Sequence, residues 1–273
     1  MFSGGTRAGT SLTIAVAALT LSSCGTPTDS DDDDGGGASA HSVMVAAPAQ
    51  QNHLGDFAAP AQMTPHWAEP AEATGPAHWA RVPGLGPETS ARIPAETSQV
   101  LVASGPDANS DSGRLSFYSI EDGQWKKRKT FDIHNGKKGW LADRREGDKT
   151  SPVGVFTLSD AGGYKRDPGT ALPYTQDDRL PSSATVAYGP EYERVFDYII
   201  AIDYNRVPGT PPTDRTRPLG WDKGGGIWLH LDHDSGTNGC VTLKEKDLKW
   251  ILGTIDPDAH PRIAMGPESQ LQK

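Results

Sequence analysis

The sequence predicts a mainly β domain over residues 97–267, and three observations predict it. Short runs of β-branched and aromatic residues are cut by Gly, Pro and Asp, as strands and turns require. One stretch alone, after Leu243, repeats apolar residues at helical spacing. The roughly 170 residues that hold both patterns are enough for one buried core.

The segments ahead of that domain read differently. Residues 1–23 carry one basic group, Arg7, and then an apolar run from Leu12 to Leu21. A bilayer-spanning helix needs about 20 apolar residues, so this run predicts an export signal rather than a permanent span. Leu21-Ser22-Ser23-Cys24 resembles a bacterial lipobox. That resemblance implies a lipoprotein signal peptide over 1–23, with Cys24 lipidated and left as the first residue after cleavage. An ordinary cleaved signal with an incidental cysteine is the other reading. Residues 24–40 contain Asp31 to Asp34 and Gly35 to Gly37, with no apolar surface to offset the entropy of ordering, so they are expected to form a disordered tether. The acidic run is read as a self-repelling spacer, not a cation site. Residues 41–96 are rich in Ala and Pro and of unfixed order; Trp67 and Trp79 recur in similar patches that either cover the domain or belong to a stalk.

Within 97–267, strands are expected at Val100 to Ala103, Leu115 to Ile120, Trp125 to Ile133 and Val153 to Leu158. Later ones are expected at Phe196 to Tyr204, Ile227 to Asp232, Gly239 to Leu243 and Arg262 to Met265. The helix follows Leu243: Leu248, Ile251, Leu252 and Ile255 keep its period, and Pro257 stops it. Asp143 to Asp148 reads as an exposed turn bordering any cleft.

The formal charge is −9, yet residues 97–267 hold 22 Lys and Arg against 24 Asp and Glu. A nearly balanced domain lacks the clustered basic face that nucleic acid demands. A polar wall polymer or a small peptide remains compatible, and oligomeric state is not indicated.

Chemistry concentrates in Gly224 to His233, followed by Asp234 to Leu243. Strand alternation puts Trp228, His230 and Asp232 on one face and Leu229 and Leu231 on the other. His230 and Cys240 fall at a spacing that a β-hairpin folds into contact. Gly239, ahead of the thiol, frees backbone amides to serve as an oxyanion hole. A Cys24–Cys240 disulfide is disfavoured, because Cys24 lies at a processing site. A zinc hydrolase built on His230, Asp232, His233 and Cys240 is a rival reading, weakened because strand residues three apart face opposite ways.

Thr237-Asn238-Gly239-Cys240-Val241-Thr242-Leu243 resembles the signature of L,D-transpeptidases, and Ile227-Trp228-Leu229-His230 resembles that family's upstream histidine strand. Gly147-Asp148-Lys149-Thr150-Ser151-Pro152-Val153-Gly154-Val155-Phe156 resembles its Thr-Pro-x-Gly-x-Phe strand. Three departures stand out: Asn238 in place of the usual histidine, Thr242 in place of Arg or Asn, and a shorter interval from His230 to Cys240.

The resemblance implies a β-sandwich with one helix packed on it, and acyl transfer on peptidoglycan stem peptides. His230 is expected to take the Cys240 proton and form an ion pair that lowers the thiol pKa. The thiolate then attacks the third stem residue, releases D-alanine and passes the thioester to an amine as a 3-3 cross-link. Water as acceptor makes the same site an L,D-carboxypeptidase, and a non-catalytic wall-binding lipoprotein is the further alternative. Gly239, Asn238 and Thr237 are the expected oxyanion and pocket residues. Asp232 or a backbone carbonyl would orient His230. Arg206 is a candidate for a stem carboxylate, with a salt bridge to Asp203 or Asp214 as its other fate. No cofactor and no metal are called for. The partners implied are stem peptides and, through a lipid on Cys24, the outer face of the plasma membrane.

Overall fold

A computed structural model describes residues 81–273; the expected signal peptide, Cys24, the tether, Trp67 and Trp79 lie outside the described residues. Strands β1 (Gln99–Gly105), β2 (Ser112–Glu121) and β3 (Gln124–His134) form an antiparallel meander. Asp122 and Gly123 both take positive φ at the β2–β3 turn. Asp-Gly suits a two-residue hairpin because the mirror-image turn matches strand twist.

Two short strands, β4 (Trp140–Leu141) and β5 (Ser151–Pro152), pair with each other apart from the main sheet. The remaining strands are β6 (Gly154–Thr157), β7 (Ala161–Gly163), β8 (Tyr174–Gln176), β9 (Ile199–Ala201), β10 (Trp228–Leu231), β11 (Val241–Leu243) and β12 (Arg262–Pro267). With β1 to β3 they make one ten-stranded sheet in the order β6-β12-β1-β2-β3-β11-β10-β9-β7-β8. The sheet curls back on itself. Asp203 N, just past β9, donates to Thr157 O at the end of β6, 3.1 Å away, although β6 is an edge strand seven places from β9 in that order.

The concave face buries one core. Leu101, Leu115, Phe117, Phe131, Ile133, Ile200, Leu229, Leu231, Val241, Leu243, Ile263 and Met265 all point into it. Leu229 and Leu231 therefore lie on the face that strand alternation assigns them. Helix α3 (Glu245–Leu252) closes this core with Leu248, Ile251 and Leu252, each fully buried. It ends at Gly253, before Pro257, and Ile255 reaches the core from the following turn.

Three helices have no apolar period in the sequence. Helix α1 (Pro87–Ser90) and helix α4 (Glu268–Leu271) lie at the two ends of the described chain, where Gly86 N donates to Leu271 O at 2.8 Å. Val82 and Leu85 join Val100, Val102 and Leu271 in a second apolar cluster, so residues on both sides of 97–267 pack together. Helix α2 (Leu180–Tyr188) starts with Pro181 in its first turn and buries only Leu180 and Ala184. Two buried positions in nine residues give no readable stripe.

One expectation is corrected. His230 and Cys240 are not brought together by a hairpin: β10 and β11 run parallel, with Leu229 opposite Val241 and His230 opposite Thr242. The connection over residues 232–240 turns back with Asp234 and Gly239 at positive φ and bonds to the chain beyond β3, where Gly136 pairs with Thr237. Among the described residues no helix is long and apolar enough to cross a membrane.

Truncating a fully buried leucine in α3 removes transfer energy and leaves a cavity. Leu248→Ala is expected to lower unfolding free energy by about 3 kcal/mol, with the midpoint of a urea titration shifted and its slope unchanged.

Candidate active site

Parallel pairing of β10 and β11 sets His230 beside Thr242, and the returning loop delivers Cys240 next to the start of β10. The loop is held by hydroxyls. Thr237 Oγ1 donates to Cys240 O at 2.7 Å and accepts from Gly239 N at 2.9 Å. Ser151 Oγ donates to Gly239 O at 2.7 Å and accepts from Gly136 N at 2.9 Å. Gly239 has φ +136, and a Cβ there would sit 2.9 Å from Thr150 O and 3.1 Å from Ile227 Cδ1, so the position demands glycine twice over.

The thiol is 7 % exposed. Its sulfur accepts from Trp228 N at 3.4 Å and faces Gly226 O at 3.5 Å. Burial pushes the thiol pKa up to about 11, against smaller opposing effects of the Trp228 amide, the Arg144 charge and the Tyr188 hydroxyl. His230 is fully buried. The carbonyl of Leu231 faces its Nδ1 at 2.9 Å and can only accept, so the ring proton sits on Nδ1 and Nε2 is left as the acceptor. Burial, then the neighbouring His233, drive the imidazole pKa down to about 3. Both groups are therefore neutral at rest, and the expected ion pair is absent from this arrangement.

Between them stands Tyr188, the last residue of α2. Its hydroxyl lies 3.3 Å from His230 Nε2, and the phenol and the Cys240 thiol are close enough that each perturbs the ionisation of the other. The ring packs against His230, His233 and Phe196, with centroid separations of 5.6, 4.5 and 6.0 Å. Burial raises the phenol pKa, so it too stays neutral. Asn238, at the position where the family signature has histidine, donates through Nδ2 to Ala187 O at 3.3 Å and ties the end of α2 over the thiol loop.

The structure brings Cys240, His230, Thr237, Asn238 and Gly239 together and leaves two expected residues elsewhere. Asp232 does not orient His230. Its Oδ1 accepts from Thr242 Oγ1 at 2.7 Å and faces His134 Nδ1 at 2.8 Å; burial opposes ionisation, but these bonds hold the carboxyl below its usual pKa. The Leu231 carbonyl does the orienting. Arg206 is buried away from the thiol in an ion-paired cluster in which its Nη1 meets both Asp203 and Asp160. Gly239 N, expected in the oxyanion hole, is already committed to Thr237 Oγ1. His233 meets Ser235 Oγ at 2.9 Å through Nδ1. No three His, Cys, Asp or Glu side chains among the described residues are disposed to share a metal ion.

Sequence reasoning missed Tyr188, Ser151, His134 and the placement of Arg144. Tyr188 ends a helix without apolar period, and His134 is one polar residue at the end of a strand. Arg144 belongs to a turn that the sequence marks as exposed, yet its side chain is 2 % exposed. Ser151 was in view as part of the Pro-x-Gly-x-Phe run; the signal that singles it out is its place directly before that proline. A depression of about 410 Å³, lined by Arg114, Asp132, His134, Asp232 and Lys244, opens on the sheet face that carries His230.

A family model described as the L,D-transpeptidase catalytic domain, YkuD, matches residues 107–263. Among solved structures, the chain is similar to Bd1075 of Bdellovibrio bacteriovorus at 17% identity, over 64% of this chain and 52% of that one, with a TM-score of 0.36. It is similar to a fused Zn-dependent amidase/peptidase/peptidoglycan-binding domain-containing protein from Clostridium acetobutylicum at 15% identity, over 63% and 53%, with a TM-score of 0.31. An L,D-transpeptidase (residues 123–326) from Xylanimonas cellulosilytica matches at 15% identity, over 64% and 63%, with a TM-score of 0.30. The chain thus spans from about half to under two thirds of those chains. No curated protein matches the sequence.

The neutral burial of His230 has a consequence for stability. Above pH 6.5 the imidazole is neutral in folded and unfolded chains alike. As the pH falls from 6.5 toward 3, only the unfolded chain takes up the proton, so stability is lost at up to about 1.4 kcal/mol per pH unit. Melting temperature is expected to fall between pH 6.5 and about 4.5, above the range where ordinary carboxyls titrate. His230→Gln is expected to flatten that slope.

Proposed function

The chain belongs to the L,D-transpeptidase catalytic domain family, and from that premise we propose that it is a cell-wall acyl transferase whose nucleophile is Cys240. The observation that carries the reading is a phenol hydroxyl 3.3 Å from the acceptor Nε2 of His230, beside a buried thiol whose ionisation it influences. The Tyr188 hydroxyl passes its proton to His230 Nε2 and takes the thiol proton in return, so the imidazole becomes cationic as the thiolate forms. The thiolate attacks the carbonyl of the third stem residue; the C–N bond to the terminal D-alanine breaks, and the proton held on His230 leaves with the amine. A thioester remains on Cys240. An amine of a neighbouring stem attacks it, loses its proton to the imidazole and restores the thiol, giving a 3-3 cross-link.

Several features support parts of this scheme. Thr237 and Ser151 fix the carbonyls of Cys240 and Gly239, which rigidifies the loop that the tetrahedral intermediate must face. With Gly239 N taken, the Cys240 amide is the oxyanion donor, joined by the second N–H of the Asn238 side chain. The depression beside His134 and Asp232 gives the acceptor an approach along the same sheet face. Water arriving by that route makes the site an L,D-carboxypeptidase. Lipidation at Cys24 anchors the domain to the outer face of the plasma membrane, within reach of the wall.

Intact-mass measurement after exposure to a carbapenem or a tetrapeptide stem tests the reading. One adduct on Cys240 is expected, absent in Cys240→Ala and His230→Ala, with Tyr188→Phe acylating about 10²-fold more slowly. A folded protein that binds wall and stays unmodified would instead establish the non-catalytic wall-binding alternative. Labelled palmitate is expected in the wild type and not in Cys24→Ala; label persisting in that variant defeats the anchor.

A further inference from the structure

Arg144 is the largest fully buried side chain in the described domain, and the scheme above gives it no task. Its Nε donates to Thr150 O at 3.0 Å and its Nη1 to Lys223 O at 3.0 Å. Two carboxylates stand near: Asp148, 3.6 Å from Nη2 and itself partly exposed, and Glu146, whose Oε2 and Arg144 Nη1 both border the space that a Cβ on Gly224 would fill. Asp148 is also held by the amides of Arg145 and Thr150 and by the Thr150 hydroxyl. A buried cation is costly unless an anion meets it closely. Two carbonyls and two carboxylates that stand off from the guanidinium meet it only in part.

The guanidinium is wedged between two glycines of the thiol site. A Cβ on Gly224 would stand 2.5 Å from Arg144 Nη1, and one on Gly239 would stand 3.5 Å from Nη2. Gly239 precedes Cys240, and Gly224 opens the three-glycine run whose last carbonyl, Gly226 O, faces the sulfur. Side chains are thus cleared from both sides of the thiol loop at the place where a permanent cation is brought up to it. The Tyr204 ring packs on the guanidinium at 5.7 Å.

We propose that Arg144 is the standing counter-charge of the Cys240 thiolate, a positioning residue whose fixed charge stabilises the anion that the surrounding burial disfavours. The inference rests on the reading of Cys240 as nucleophile. The other titratable groups facing this site are Tyr188 from α2, His230 and His233 from β10 and the loop after it, and Asp148, Glu146 and Lys223 around the guanidinium. Tyr188, His230 and His233 are neutral at rest and buried or half-buried, so none of them supplies the charge that Arg144 supplies.

The test is the pH profile of Cys240 alkylation by iodoacetamide in the full-length protein, with Cys240 and Cys24 resolved by peptide mass mapping. Arg144→Met is expected to raise the profile midpoint by about one pH unit or more, and Arg144→Lys to keep most of the wild-type value. Asp148→Asn removes one of the anions that partly neutralise the guanidinium and is expected to lower the midpoint, an effect of opposite sign that lost packing does not produce. Arg144→Met with a wild-type melting curve and an unchanged midpoint would overturn the proposal. If Arg144→Met does not fold, a midpoint that is unchanged or raised in Asp148→Asn overturns it. Alkylation needs no turnover: midpoints that shift as expected in a protein that gains no carbapenem adduct refute the nucleophile reading and leave the counter-charge intact.

Discussion

The site depends on the parallel pairing of β10 with β11. Neighbouring strands in sequence that run parallel need a connection that crosses back, and such crossovers commonly take a dozen or more residues. Here residues 232–240 suffice, because the loop is not free-standing: Thr237 N donates to Asn135 O, Lys137 N donates to Thr237 O, and Ser151 holds the carbonyl of Gly239. The backbone beyond β3 and the start of β5 therefore act as a template for the return. Without that template the loop would have neither the positive φ at Gly239 nor the register that sets His230 opposite Thr242. The short His-to-Cys interval, which departs from the family pattern, is matched by this borrowed support.

That geometry decides the electrostatics. Crowding the thiol against β10 excludes water, and exclusion of water raises the thiol pKa while lowering that of the imidazole. The two shifts work against an ion pair and in favour of neutral partners. Proton transfer in such a site has to coincide with the arrival of something that stabilises charge, whether a substrate carbonyl accepting the sulfur or a fixed cation nearby. Tyr188 supplies continuity between donor and acceptor, and its aromatic neighbours Phe196, His230 and His233 keep its hydroxyl aimed. The arrangement has a cost in access, since α2 covers the sulfur and Asn238 holds the end of that helix.

How much of this was legible in the sequence varies with the range of the interactions involved. Alternation in Trp228 to Asp232 put Leu229 and Leu231 into the core, and the period of Leu248, Ile251 and Leu252 marked α3, because both signals are local. Turn chemistry at Asp122-Gly123 is local as well. The parallel sense of β10 and β11 was not legible: a ten-residue interval suits a hairpin equally well, and the choice is made by bonds to Asn135, Gly136 and Ser151, far away in the chain. Helix α2 was invisible because so few of its residues are buried. Arg144 was misread for the opposite reason, since charged neighbours on both sides make a buried position look like an exposed turn.

The two substitutions in the signature acquire definite jobs from this long-range context. Thr242 is fully buried, donates to Asp232 and accepts from His134 N at 3.2 Å, so it knits β11 to β3 and directs Asp232 toward His134 instead of His230. A longer basic side chain at that position would have to displace this cluster. A buried cation beside the thiol loop comes instead from Arg144, on the segment between β4 and β5, and the glycines at 224 and 239 make room for it. Asn238, lacking the imidazole of the usual histidine, retains a donor and spends it on the carbonyl of Ala187. That hydrogen bond ties the end of α2 over the thiol loop, while the amide still has a second N–H to offer.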